Sequence, residues 1–285
     1  MPLGPESVPK RSVVGVESFH GVRRGGPAQG LGGMPTGWRG GFPGPHRVSC
    51  GPPGRAGGDS RVGALWMVTV GRFAYNLMYR FGAPWEGADR VELRALVRDG
   101  RCAPETLRRP GEPAARAIDL GCGAGGVSLE LAEAGFAVTG VDFSSVALAK
   151  GRAAAKRRGL GPDRIMFVAG DLTAGHVPGI EGPFDLLVDY GTLDDLPEAG
   201  RQAMASYITD LARPGSRFFL FAFSARPEDL PRMSFGGPSR AFPGLVPGEV
   251  ERRFEPAFGI EVIDPPTRTH HIATYLLERL EATRA

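Results

Sequence analysis

Asp119-Leu120-Gly121-Cys122-Gly123-Ala124-Gly125-Gly126 constrains the fold of this chain more than any other stretch. It lies between an apolar β-type run over residues 115–120 and an amphipathic helix-type run over 127–134. Glycines at a strand-to-helix turn let the backbone approach a ligand closely, and the helix N-terminus behind them favours polar or anionic groups. A second acid, Asp142, closes the next apolar run, residues 137–141. Strand, glycine turn, helix, strand and acid make a nucleoside-binding half of an α/β sheet.

The alternation continues beyond the turn. A helix is expected over 145–158, with Ser144 or Ser145 as N-cap and Gly159 as its stop. Strands are expected over 165–169 and 184–188, then a helix from Pro197 to Ala212, then a strand over 217–223 launched by Pro214-Gly215. Strands alternating with helices predict a doubly wound, mostly parallel sheet. Residues 259–263 and 274–280 also read as strands, with no crossover helix between them. The last of the seven strands is therefore expected to enter reversed.

Upstream of the sheet, Phe73, Leu77 and Phe81 recur at fourfold spacing, with Tyr75 and Tyr79 on an adjacent face, which predicts a helix. Residues 82–87 break it. A second helix is expected over 90–97, and Gly100 and residues 104–113 read as a connection.

Composition divides the chain further. Residues 1–60 hold 16 Gly and 9 Pro with no apolar periodicity, too little apolar surface to offset backbone ordering. A disordered tail is expected over 1–62, a helical cap over 63–112, and the α/β domain over 113–285. The first sixty residues carry seven Lys/Arg against three Asp/Glu, a net of +4, which leaves the remainder near −1 of the whole chain's +3. That near-neutral remainder argues against a nucleic-acid partner. The tail has two readings: a flexible extension, or an upstream stretch read from a wrongly chosen start codon, with Met67 directly before the first convincing helix. Arg23-Arg24 superficially suggests a twin-arginine signal, but no apolar segment follows it. The longest aromatic–aliphatic run, 218–223, is too short to span a bilayer, so no membrane association is expected. Cys50, Cys102 and Cys122 are odd in number and lack metal-ligand spacing, so no metal or disulfide framework is expected and a reducing cytoplasm is the default compartment.

Gly121-x-Gly123-x-x-Gly126 also satisfies the dinucleotide fingerprint, a weak signal alone. Three features point away from a dehydrogenase. Asp119 stands two residues before the first glycine, where a carboxylate pairs with a ligand ammonium and repels a pyrophosphate. Asp171 follows the third strand and adds another acid to the same sheet edge. No tyrosine–lysine pair offers a hydride-transfer site.

With these acids around it, Asp119 to Gly125 resembles motif I of the class I S-adenosylmethionine-dependent methyltransferases. Asp142 resembles that family's ribose-binding acid, Asp171 its adenine-contacting acid, and residues 184–190 its fourth motif. Residues 211–216 resemble the turn before the fifth strand, with Ser216 in place of the usual second glycine. The resemblance covers about residues 115–280 and implies the Rossmann-like methyltransferase fold with S-adenosyl-L-methionine as cofactor. It implies that Asp142 takes both ribose hydroxyls, that Phe143 lies against the adenine, that Asp171 accepts from the exocyclic amine and that Leu172 packs on the ring. Asp119 would orient the methionine ammonium, with backbone around Gly121, Gly123, Gly125 and Asp189 completing the cradle. Phe143 has a second reading as ordinary core. Cys122, between two glycines, reads as a small filler.

Methyl transfer from a sulfonium needs alignment, desolvation and sometimes a base, so no triad is required. Asp189 and Tyr190 are the catalytic candidates, with Thr192, Asp194 and Asp195 close behind at the exit of the fourth strand. For Asp194 and Asp195 the favoured reading is as N-terminal caps of the following helix. Residues 83–87 resemble the Pro-Trp segment of thiopurine, thiol-halide and tellurite-resistance methyltransferases, in which an N-terminal helix covers the site. By that likeness Tyr75, Tyr79 and Trp85 would cap the methyl end, against a plainer reading as core. Residues 224–248, rich in Pro and Gly, are expected to form a lid. The expected acceptor is a small-molecule thiol, chalcogen or natural-product nucleophile. The alternatives are an RNA or protein methyltransferase, a non-catalytic cofactor-binding protein, or an NAD-dependent Rossmann protein.

Overall fold

The structure, a computed structural model, describes residues 75–83, 85–87, 90–226, 228–229, 232–233, 240–241, 244–265 and 271–281. The expected tail, Phe73, Met67, Pro84 and much of the expected lid lie outside the described residues.

A helix runs through residues 75–81 (α1), followed by α2 (Val91–Arg98) and a short α3 (Pro104–Leu107). Then come β1 (Arg116–Leu120), α4 (Gly126–Ala134), β2 (Ala137–Asp142), α5 (Ser145–Arg157), β3 (Ile165–Ala169), β4 (Phe184–Tyr190), α6 (Glu198–Leu211) and β5 (Ala212–Phe223). A two-residue ladder pairs β6 (Arg232–Met233) with β7 (Arg240–Ala241), and α7 (Glu249–Phe254), β8 (Phe258–Asp264) and β9 (Ile272–Arg279) complete the chain.

Seven strands form one sheet in the order β3-β2-β1-β4-β5-β9-β8. The first five are parallel, and β9 runs antiparallel to both β5 and β8. Reversal of the final strand therefore matches the expectation drawn from the short β8–β9 connection. A parallel sheet must be covered on both faces, and the strands here are apolar on both. Ile118, Leu120, Leu187, Phe218 and Leu220 face a core closed by Met204, Ile208 and Leu211 of α6 and by Val250 and Phe254 of α7. Ala117, Leu186, Val188 and Phe219 face the other, closed by Leu93 and Leu96 of α2, Val127 and Leu131 of α4 and Leu148 of α5.

Three boundaries differ from expectation for visible reasons. Pro104 opens a helical turn in a stretch that reads as plain connection, because proline is pre-set for a helix's first turn. The α6 helix starts one residue late, with Pro197 as its N-cap in extended conformation. The β5 strand starts at Ala212 rather than 217, because Ala212 pairs with Phe184 across a register shift. Ser216 stitches that shift: its hydroxyl donates to Phe184 O (2.6 Å) and accepts from Arg213 N (3.0 Å). The departure from glycine at 216 thus has a structural use.

Ser144 is the N-cap of α5, its Oγ accepting from Ala147 N (3.1 Å) and donating to Asn76 Oδ1 of α1 (2.6 Å). Replacement Ser144→Ala is expected to lower unfolding free energy by about 1–2 kcal/mol, read as a lower urea midpoint with an unchanged slope.

Candidate functional site

The register of the parallel strands collects the acids at one edge. Leu120 pairs with Val141 on one side and Asp189 on the other, so β1, β2 and β4 end together. Between β1 and β4 the winding changes direction, and such a point opens a crevice at the strands' C-terminal ends. Asp119, Asp142, Asp171 and Asp189 all lie at that edge.

The glycine turn is held by two amides, Gly121 N and Cys122 N, which both donate to Val141 O at 2.8 Å. Gly121 has φ 77°, and a Cβ there would collide with the Thr192 side chain from the β4 exit. The Thr192 hydroxyl in turn donates to Leu120 O (3.1 Å). Gly123, at φ 54°, lies against the Tyr79 hydroxyl. At Gly125, φ 80°, a Cβ would collide with the Phe167 ring of β3. The Cys122 thiol is buried and pushed well above its usual pKa, chiefly by burial and then by Asp119 and Asp142, which suits an inert filler.

Asp142 is buried, and each of its carboxylate oxygens accepts one backbone amide, Gly123 N (2.8 Å) and Ser144 N (2.7 Å). Burial raises its pKa against the pull of those amides. Each oxygen retains a further lone pair for another donor. Asp119 accepts from the Ser128 hydroxyl at 2.5 Å. Its pKa is raised to about 6 by burial, with the Ser128 hydroxyl and the Arg90 charge opposing. Ser128 and Arg90 escape sequence reading, although a serine in the first turn after a glycine loop is a usable signal.

Phe143 is half-buried, and its ring meets Tyr75 edge-on at 5.5 Å, so it is not ordinary core. Asp171 Oδ1 accepts from the amide (3.0 Å) and hydroxyl (2.6 Å) of Thr173, capping a short helical turn at Leu172–Ala174. Leu172 lies in the core with Val141, Val177 and Met204.

The aromatic residues of α1 reach the glycine turn. Trp85 Nε1 donates to the Tyr79 oxygen (3.0 Å), Tyr75 packs on Trp85 at 5.8 Å, and the Tyr75 hydroxyl donates to Asp195. A Lys150–Glu86 ion pair (2.9 Å) and the Ser144–Asn76 bond tie α1 and residues 85–87 to α5.

The two catalytic candidates lie on opposite sides of the sheet, each with partners of its own. Asp189 is fully buried, and its oxygens accept from Thr192 N (2.7 Å) and Leu193 N (2.9 Å), closing the turn after β4. Burial, with Asp194 close by, pushes its pKa up to about 8. Tyr190 points to the other side of the sheet, stacked on Phe221 at 4.3 Å with its hydroxyl on Glu92 (3.1 Å). Asp194 and Asp195 do not cap α6. They end a short helical turn, Leu193–Asp195, and the cap of α6 is Pro197.

Sheet order, reversed β9 and the glycine turn with its acids define a class I methyltransferase fold. Residues 117–215 match the model of a methyltransferase domain family. The chain is 37% identical over 142 residues to a demethylmenaquinone methyltransferase of Beutenbergia cavernae, covering 50% of each. A solved structure from echinomycin biosynthesis, concerned with converting a disulfide bond into a thioacetal group, superposes with a TM-score of 0.54 at 24% identity, over 73% of this chain and 93% of that one. The N1-methyltransferase of 1,6-didemethyltoxoflavin from Burkholderia thailandensis, solved with that compound and S-adenosylhomocysteine, superposes at 0.52 and 20% identity, over 76% and 90%. The chain thus carries a stretch that matches a methyltransferase domain family, on the class I methyltransferase fold. It spans about half the length of the curated relatives it matches.

Proposed function

We propose that this protein transfers a methyl group from S-adenosyl-L-methionine to a small-molecule nucleophile. The observation that carries the reading is Asp142, a buried carboxylate with one amide on each oxygen and lone pairs left for two vicinal hydroxyls, directly behind the glycine turn. Asp119, steadied by Ser128, is suited to the methionine ammonium, and Phe143 offers a half-open ring for the adenine. Asp171 keeps its proposed contact with the exocyclic amine, while Leu172 and Gly125 act through packing. An edge lined by carboxylates attracts a cationic sulfonium nucleoside and repels a diphosphate. The donor supplies an activated methyl; the chain's residues bind it, align it and exclude water. Tyr75, Tyr79 and Trp85 form the cover in this reading.

The small-molecule class is supported by the near-neutral charge outside the tail and by relatives named as demethylmenaquinone and ubiquinone-biosynthesis methyltransferases, beside one named for ribosomal protein L11. Among the described residues no helix is long and apolar enough to cross a membrane, and Cys102 and Cys122 are free, which fits the cytoplasm we propose. Isothermal titration tests the donor: the expected result is micromolar binding of S-adenosylmethionine and none of NAD, and the converse overturns the reading.

The Asp119 carboxyl gives that titration a pH signature. Its raised pKa means the free protein holds a proton below about 6, and the ligand ammonium binds the ionised form. Affinity is expected to weaken up to about tenfold per pH unit below that point and to level above it. In Asp119→Asn the profile is expected to be flat and weak throughout.

A further inference from the structure

Asp194 has no part in the cofactor site described above. It sits between β4 and α6 and is 3% exposed. Its Oδ2 accepts from Phe223 N (2.9 Å) at the end of β5. Its Oδ1 has no hydrogen-bond partner among the described residues. Gly191 is the neighbour of that oxygen: its φ of 88° excludes a side chain, and a Cβ there would stand 4.0 Å from Oδ1. Buried polar atoms without partners are rare in folded proteins and often mark a ligand or a functional role.

The other polar side chains at the β4 exit already have hydrogen-bond partners. Both Asp189 oxygens carry backbone amides, Asp195 takes the Tyr75 hydroxyl, and Tyr190 faces the opposite side of the sheet. Arg201 of α6 donates to the backbone oxygen of Asp194 (2.7 Å), not to its carboxylate, and spends its remaining donors on Leu196 O, Gly244 O and Glu249 of α7. The glycine turn reaches this loop directly through Thr192, two residues away.

We propose that Asp194 Oδ1 is the general base for the methyl acceptor, and that the acceptor is a neutral molecule with a hydroxyl or N–H proton to lose. This rests on the methyl-transfer reading and narrows its acceptor class. The acceptor's lone pair takes the methyl carbon, the sulfonium's C–S bonding pair returns to sulfur, and the acceptor proton passes to Oδ1. Burial pushes the Asp194 carboxyl up to about 6, against the Phe223 amide, its own amide and Arg201. A base tuned upward in this way still ionises below neutrality and accepts a proton more readily than an ordinary carboxylate.

The test is Asp194→Asn, which keeps an acceptor for Phe223 N but cannot take a proton. Methyl transfer is measured with labelled S-adenosylmethionine to catechol and naphthol, and to thiophenol, which is largely ionised without help at about pH 8. Expected is a loss of about 100-fold or more with the hydroxyl probes, in kcat and not KM, and less than about threefold with thiophenol. S-adenosylmethionine affinity by titration stays within about twofold, since Asp194 is outside the cofactor's contacts. In the wild type, kcat for hydroxyl transfer at saturating S-adenosylmethionine, where the Asp119 effect on affinity no longer enters, falls below about pH 6, and this arm decides the matter if the variant does not fold. Equal losses on all probes, an unchanged hydroxyl rate, a flat wild-type profile, or a wild type that binds the donor yet methylates neither hydroxyl overturns the proposal. A wild type that does not bind S-adenosylmethionine overturns the methyl-transfer reading itself.

Discussion

Asp142→Ala is expected to weaken S-adenosylmethionine binding by about 100-fold to 10,000-fold, beyond detection by titration at ordinary protein concentrations. In the proposed role, two charge-assisted hydrogen bonds to the ribose hydroxyls would contribute about 1.5–3 kcal/mol each, and alanine removes both. The loss is not only of contacts with the ligand. Gly123 N and Ser144 N each spend their proton on this carboxylate, so alanine also frees the middle of the glycine turn and the start of α5. Asp142→Asn keeps one acceptor and is expected to fall between wild type and alanine. Full-strength binding in Asp142→Ala would sink the assignment of this acid to the ribose.

The second large effect is expected at Gly121. A Cβ in Gly121→Ala meets the Thr192 side chain and stands on a backbone with φ 77°. The left-handed conformation costs a non-glycine residue about 1–2 kcal/mol, and overpacking costs about 1–3 more. The variant is expected to lose about 2–5 kcal/mol of stability in urea denaturation, with the turn displaced and cofactor affinity reduced. Thr192→Ala alone removes the bond to Leu120 O and is expected to cost about 1 kcal/mol. The double variant separates the two causes: the Oγ1 and Cγ2 contacts are removed and only Thr192 Cβ stays close, the φ strain remains, and the cycle shows a favourable coupling of about 1–3 kcal/mol. Additive losses would mean that Thr192 does not limit the turn.

These positions show how sequence and structure share the information. Glycine at 121 and acid at 142 are readable because their chemistry is local: positive φ demands glycine, and a carboxylate after a strand faces the crevice. The seven strands, their alternation with helices and the reversed β9 are readable from apolar periodicity and connection length. Less readable is what each side chain does once the strands are aligned. Asp189 and Tyr190 are adjacent at the exit of β4, so a period-two strand sends them to opposite faces. One closes a turn and the other stacks on Phe221. Asp194 reads as a helix cap because acids precede α6. The structure begins that helix at Glu198 and leaves the Asp194 carboxylate between β4 and β5.

By itself the sequence determined the succession of strands and helices in the nucleoside half, the glycine turn and the acids beside it. These depend on local conformation and on residue type at short spacing. Only the tertiary structure decided which donors each acid at this edge meets and which carboxylate oxygen meets none among the described residues. It also brought Ser128 to Asp119, Thr192 against Gly121 and the α1 aromatics over the turn. Those pairings join residues nine to 71 positions apart in the chain, and no local pattern records them. The reason is physical: a carboxylate's role depends on its donors and on its distance from water, and both are set by which strands end side by side.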